Sequence, residues 1–305
     1  MADSVESIGA KLDALGLWDA MVPYHWALRP RGTVFPYFCS TVSVAEGPVK
    51  ARLLLLEGWQ TFHDYVRGRI DRSYGFYSSP MELPHFELVV LARGGVKLYR
   101  NDPGYVPREV TAAEASFSLP LLWEVYGVML RCEADAKLPL VYSAEKAMFS
   151  RVEDVGGQWR DEPLTILEAP PYVEQISFPK ELLARAKDLP FAADEALELD
   201  FRMLPGVMTR EARPRTAYVL AAIDAATSAK AFREQVSFSP EAGLKALWTA
   251  MPARVLMHIV GRGRVPGEIR LVSPRVFRML RPLCLQLPLK LSLHDRLPEL
   301  EKSMV

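Results

Sequence analysis

The stretch YVLAAIDAATSAKAFREQVSF, Tyr218–Phe238, decides how the C-terminal third of this chain is read. An apolar run from Tyr218 to Ile223 ends on an acid, Asp224. Ala225-Ala226-Thr227-Ser228 then turns the chain, and a second strand begins near Lys230. Asp224 is either a metal-holding carboxylate at a strand tip or the acid that turns a hairpin. An Asp followed by small residues favours the hairpin, because its oxygens accept the turn amides. Just upstream, LELDFRML (Leu197–Leu204) places a second acid, Asp200, inside an apolar strand. A buried carboxylate is costly unless it is paired, so Asp200 calls for an arginine on a neighbouring strand or for a metal.

Working outward, Ser239 is expected to cap a helix with Pro240 at its first position. That helix runs through EAGLKALWTAMPARVLMHIV (Glu241–Val260), and Pro252 should kink or divide it. Gly261 is expected to end it in a left-handed cap. EIRLVS (Glu268–Ser273) reads as strand four, PRVFRMLRPLCLQL (Pro274–Leu287) as a helix broken near Pro282, LKLSLH (Leu289–His294) as strand five, and LPELEKSM (Leu297–Met304) as a last short helix. The order is β-β-β-α-β-α-β-α.

The N-terminal part is expected to be α+β. Asp3 with Glu6 suggests a capping box opening a helix that ends near Met21. VFPYFCSTVSV and VKARLLLLEGW form a hairpin across Glu46–Pro48, and QTFHDYVRGRI has helical spacing. HFELVVLA and GGVKLYR are strands about Gly94-Gly95. Thr111 and Glu114 cap a helix that Pro120 interrupts, and a final hairpin turns at Gly156-Gly157. EAPPYVEQISFPKE (Glu168–Glu181) is the best linker candidate, followed by a bridging helix over Glu181–Lys187. The fold class is therefore α/β, with an N-terminal α+β domain over 1–168, a linker and bridging helix over 169–189, and a second domain over 190–305.

Of the 305 residues, 50% are hydrophobic and 24% charged, ample for a large core. No stretch approaches the roughly 20 apolar residues of a bilayer span, and no secretory leader is evident, so no membrane partner is expected. Three widely spaced cysteines, Cys39, Cys132 and Cys284, argue for a reducing cytoplasm rather than a disulfide framework. Net charge is zero, but from Glu198 onward 17 Lys and Arg face 10 Asp and Glu, a local balance of +7, and 13 of the 17 cations are Arg. Either this excess is met within the chain, or it meets an anionic partner.

The element order over Glu198–Val305, with the hairpin LAAIDAATSAKAF and the strand PGEIRLVS, resembles the RNase H-like domains of integrase and transposase cores. The chain is also similar to a bacterial family described only as domains of unknown function, on RPRTAYVLAAIDAAT (Arg213–Thr227) and GRVPGEIRLVSPRV (Gly263–Val276). The RNase H-like resemblance implies two divalent cations, Mg or Mn, held by carboxylates from strand one, the end of strand four and the last helix, because paired cations stabilise both attacking and leaving oxygens. Asp200 matches the strand-one position and Glu299 or Glu301 the last helix. Strand four offers Ser273, a neutral hydroxyl, and Asp224 is not a ligand position. The expected function is a non-catalytic binding or accessory module with a decayed metal site, taking a protein or anionic partner. A metal-dependent nuclease using Asp200, Glu299 and Glu301 is one alternative; nucleic-acid binding without cleavage through an Arg-rich surface is another.

Candidate anion contacts are Arg213 and Arg215 (with Arg210) in the loop REARPR, Arg262 and Arg264 in GRGRVPGE, and Arg275 and Arg278 (with Arg281), which share a helical side. GRGRVPGE follows a helix and precedes a strand, the reverse of a phosphate-cradling loop, so a solvated turn is the simpler reading. In the N-terminal part, His63 and Asp64 near Trp59, and His85 with Glu82 and Glu87, would make a metal or acid–base site if the segments met. Ordinary polar histidines are the simpler reading here too. The aromatic-rich connection Asp71–Phe86 is a recognition or lid candidate.

Overall fold

Alternation of apolar and polar residues lays down two sheets, and helices close over them. The computed structural model describes residues 4–22, 24–70, 82–134, 147–168, 176–204, 212–237, 239 and 241–303. Arg210, Pro240, linker residues 169–175 and loop residues 71–81 lie outside these. The chain divides into two compact units: Met1–Tyr65, Leu83–Asp102 and Pro107–Pro170 form the first, and Val66–Glu82, Pro103–Val106 and Pro171–Val305 the second.

In the first unit, the Ser4 hydroxyl accepts the Ser7 amide and opens α1 (Val5–Leu15). The helix expected to reach Met21 stops earlier, because Gly16 adopts φ 66° and a separate turn, α2 (Trp18–Met21), follows. The strands are β1 (Trp26–Arg29), β2 (Tyr37–Ser43), β3 (Val49–Glu57), β4 (His85–Leu91), β5 (Val96–Asn101), β6 (Arg108–Glu109), β7 (Ala147–Glu153) and β8 (Trp159–Thr165), with α3 (Gly58–Ile70) and α4 (Ala112–Ala134) between them. They make one sheet in the order β6-β5-β4-β3-β2-β1-β7-β8. It is antiparallel except where β1 meets β7. Ile8 and Leu12 of α1 and Leu122 and Val125 of α4 bury one face against Leu53, Leu55, Phe86 and Leu88. On the other face Phe38 stacks on Phe62 of α3 at 4.3 Å.

The capping box at α4 forms as expected: the Thr111 amide donates to Glu114 at 2.8 Å, and the Glu114 amide donates to the Thr111 hydroxyl at 3.3 Å. Pro120 does not interrupt α4, which stays helical through it. A proline deletes one helical hydrogen bond, and the buried Leu121, Leu122 and Val125 beside it anchor the helix regardless.

The second unit holds α5 (Lys180–Lys187), β9 (Phe191–Met203), β10 (Ala217–Asp224), β11 (Lys230–Ser237), α6 (Gly243–Arg262), β12 (Val265–Leu271), α7 (Pro274–Cys284), β13 (Lys290–Leu293) and α8 (Pro298–Ser303). From β9 onward this is the expected β-β-β-α-β-α-β-α order. The sheet runs β11-β10-β9-β12-β13. β10 is antiparallel to both neighbours, while β12 is parallel to β9 and to β13.

Three local expectations are corrected. α6 begins at Gly243 after Ala242 with no side-chain cap, and Ser239 contributes its carbonyl, accepting the Gly243 amide at 2.9 Å. Pro252 and Pro282 sit inside undivided helices; Pro252 is buried between Met251 and Val255, so packing offsets the lost bond. The left-handed cap of α6 is Gly263, at φ 73°, not Gly261.

β10 shows how the sheet partitions. Tyr218, Leu220 and Ala222 point into the core under α6 and α7. Val219, Ala221 and Ile223 point to the opposite face, where Leu297 and Leu300 at α8 cover them.

Candidate functional site

The α8 face of the second sheet gathers the acids singled out from the sequence. Register places Asp200 beside Ala221 and Glu198 beside Ile223, so both carboxylates of LELDF share the face that α8 covers. Glu198 is buried, and its carboxylate accepts the Leu300 amide at 2.8 Å. It thus satisfies an otherwise orphaned donor at the start of α8. Asp200 is 8% exposed. Its ion partner is Arg202, at 3.7 Å, two residues along the same strand and therefore on the same face. The expectation of a partner on an adjacent strand is corrected accordingly. Burial pushes the Asp200 carboxyl above the usual range, and the Arg202 charge only partly opposes that.

The α8 carboxylates are turned to other work. Glu299 accepts the Ser228 hydroxyl at 2.6 Å and pairs with Lys302 at 2.6 Å. Glu301 pairs with Arg296 at 2.6 Å. Ser273, at the strand-four position, caps α7: its hydroxyl accepts the Val276 amide at 3.3 Å, with Pro274 behind it. Among the described residues, no three His, Cys, Asp or Glu side chains are grouped so as to hold a metal. The donor set therefore does not fit paired divalent cations. An arginine is the charge facing Asp200, and each helix carboxylate carries its own cation.

Asp224 turns the hairpin. Its Oδ1 accepts the Ala226 amide at 3.0 Å, and the Thr227 amide and hydroxyl at 2.8 and 2.9 Å. Burial raises its pKa, and these donors more than offset that, leaving the carboxyl below the ordinary value.

At the β12–β13 edge of the same face, Ser292 donates to Glu268 at 2.8 Å and lies 2.9 Å from His294 Nε2. Arg270 also holds Glu268, at 3.0 Å. Burial raises the Glu268 carboxyl, but Ser292 and Arg270 together hold it below the usual range. The serine hydroxyl sits between acid and imidazole, so the acid does not orient the imidazole as a nucleophile-activating relay requires.

The arginines are largely spoken for. Arg262 and Arg264 both pair with Glu195 of β9, Arg264 at 2.8 Å. Arg264 acts first, with Arg262 beside it, to hold Glu195 below the usual carboxylate range despite burial. Arg275 is buried, so the expected basic face Arg275-Arg278-Arg281 is not a uniform one. Arg213 lies over the Tyr105 ring at 3.9 Å, in a segment where Arg215 bridges to Tyr105.

Arg275 belongs to a cluster that the sequence did not disclose. Its guanidinium packs 3.7 Å from the centre of the Trp248 ring and donates to Glu82 at 3.0 Å. Tyr218 Oη donates to the same carboxylate at 2.6 Å and Trp248 Nε1 at 3.2 Å. Both sides are nearly sealed, with Arg275 and Glu82 side chains 10% and 7% exposed. Burial first, and the Glu82 charge second, drive the Tyr218 phenol far above its ordinary pKa. Glu82, read from the sequence as a companion of His85 and Glu87, thus belongs to the second unit, whereas those two belong to the first. The only signal for it was an acid at the end of an aromatic-rich connection.

His85 is buried and bonds the Leu83 carbonyl through Nδ1 at 2.8 Å. His63 stacks on Trp59 at 5.5 Å. Glu87 pairs with Arg52 at 2.5 Å and accepts from Asn101 at 3.2 Å. Each is held in a packing or pairing role.

Among the described residues no helix is long and apolar enough to cross a membrane. No curated protein and no solved structure matches the chain. Residues 182–304, which contain the acid-bearing sheet face, α8, Trp248 and Arg275, match the family model described as Domain of unknown function (DUF6930).

Proposed function

We propose that the C-terminal unit is a non-catalytic, cytoplasmic binding module built on an RNase H-like sheet whose metal site has decayed. The strand order β11-β10-β9-β12-β13, with β10 alone reversed, supports the RNase H-like reading. The observation that carries the decay is the partnering of the three acids. Asp200 faces Arg202, Glu299 is taken by Ser228 and Lys302, and Glu301 by Arg296. Each arrangement places positive charge or a donor where a cation would need an open carboxylate. Unpaired, widely separated cysteines accord with a reducing compartment.

The test is a cleavage assay on single- and double-stranded DNA and RNA in Mg²⁺ or Mn²⁺, with Asp200→Asn as the control. No divalent-dependent turnover is expected. Cleavage that Asp200→Asn abolishes establishes the nuclease instead. Binding without cleavage, weakening steeply with salt as counterions are released, would point to nucleic acid as the partner; the intramolecular pairing of Arg262, Arg264 and Arg275 favours a flat response.

A further inference from the structure

Tyr218, Trp248 and Arg275 are spread over β10, α6 and α7, yet their donors meet on one carboxylate. Phe201 fixes the aromatic pair, stacking on Tyr218 at 5.4 Å and meeting Trp248 edge-on at 4.9 Å. The phenol and indole are thus held in place by the core, and the guanidinium lies against the indole. A charged hydrogen bond of this kind is strong, and a guanidinium seated on an indole face is positioned before any anion arrives. Glu82, the acid it holds, is separated by 136, 166 and 193 residues from these three donors. It also lies outside the 182–304 stretch that supplies them.

We propose that Tyr218, Trp248 and Arg275 form a carboxylate receptor that Glu82 fills in cis, and that its ligand class is the acidic side chain of a peptide. The receptor deepens the binding-module reading and rests on it. A glutamate side chain presented by a partner has the same chemistry as Glu82 and competes for the same three donors. Buried Arg275 without an acid is strongly unfavourable, so removing the carboxylate should cost the second unit stability.

The experiment uses the full chain with Glu82→Ala, which removes the cis acid and opens a space the size of its side chain. The unfolding temperature of the second unit should fall by about 10 °C. Sodium acetate at about 100 mM should restore at least half of that fall saturably, whereas sodium chloride at equal ionic strength should not. Glu82→Gln fills the space, so acetate should leave it unmoved. N-acetyl-glutamate amide should act as acetate does on Glu82→Ala, and N-acetyl-glutamine amide should be inert.

Failure of acetate to restore stability overturns the receptor, as does a Glu82→Ala chain that stays unfolded in both salts. Rescue by acetate but not by the glutamate amide overturns the peptide assignment. None of these outcomes depends on the nuclease assay, so the receptor and the decayed metal site fail separately.

Discussion

Three glycines within seven residues, Gly261, Gly263 and Gly267, should respond to alanine in three different ways: one gain, one modest loss and one severe loss. Gly261 lies inside α6 with ordinary backbone angles, and a Cβ there meets nothing within 4 Å. Alanine at that position should stabilise the helix by about 0.5–1 kcal/mol. Gly263 also has open space, but its φ is 73° as the left-handed cap. There the Cβ crowds its own backbone, and alanine should cost about 1–2 kcal/mol.

Gly267 is the severe case, for a steric reason. The register between β12 and β9 jumps from Pro266–Ala192 to Glu268–Ala196, leaving Gly267 opposite a bulge in the central strand. A Cβ on Gly267 would sit 2.1 Å from the Ala193 carbonyl oxygen and 2.7 Å from its carbon. Both are backbone atoms of a central strand and cannot swing aside. Relief requires the strands to part by about 1 Å, which adds overpacking strain of about 1–3 kcal/mol to the weakening of neighbouring ladder bonds, about 1 kcal/mol each. The total is about 3–5 kcal/mol. Urea unfolding followed by circular dichroism should rank the variants Gly261→Ala, wild type, Gly263→Ala, Gly267→Ala in falling midpoint. If Gly267→Ala lies within about 0.5 kcal/mol of wild type, the close approach of β12 to β9 is wrong, and with it the bulge that carries Glu195.

Asp224→Ala should destabilise by about 1 kcal/mol through loss of the turn bonds, and a divalent-cation titration of the variant should match wild type. Because the folded Asp224 carboxyl is held below its ordinary value, its stabilisation is present above the unfolded pKa and is lost as pH falls through the folded one. Glu195→Gln leaves Arg262 and Arg264 facing a neutral amide and should cost about 2–3 kcal/mol, read as a lowered urea midpoint; an unchanged midpoint rejects the pairing. Glu114, held by Arg108 first and then by Thr111 against burial, has its pKa lowered to about 2. Its contribution is full above the ordinary 4.5 and disappears as pH falls toward 2. Acid unfolding of Glu114→Gln should therefore show a shallower loss of stability over that window than wild type.

The element order of the second unit was legible because its strands show as apolar runs or alternations bounded by turn residues, as at Asp224. β1 escaped notice because Trp26–Arg29 is four residues long and has no alternation to display. The prolines misled for a related reason. Local propensity marks Pro120, Pro252 and Pro282 as breaks, but one missing backbone bond is outweighed by apolar packing along the same helix. The pattern G-R-G offers two possible caps, Gly261 and Gly263, and only the backbone angle chooses between them. The acids of LELDF were visible, and their common face follows from strand period; what holds Glu198 is not, since Leu300's amide is about a hundred residues away.

The charge split shows most clearly what the fold adds to the sequence. Counted along the chain from Glu198, the C-terminal portion carries a balance of +7, which suggests a surface waiting for an anion. Two of the acids that meet this excess lie outside the count. Glu195 is three residues too early and takes Arg262 and Arg264. Glu82, far upstream, takes Arg275. Within the count, Glu234 takes Arg254 and Glu301 takes Arg296. A linear tally assigns charges to segments, whereas the energy of a charge depends on what is within a few ångströms in a low-dielectric surround. A partner carboxylate that binds at Arg262, Arg264 or Arg275 must therefore exchange with an acid already in place. Its affinity is then set by the difference between two ion pairs rather than by the excess of arginines.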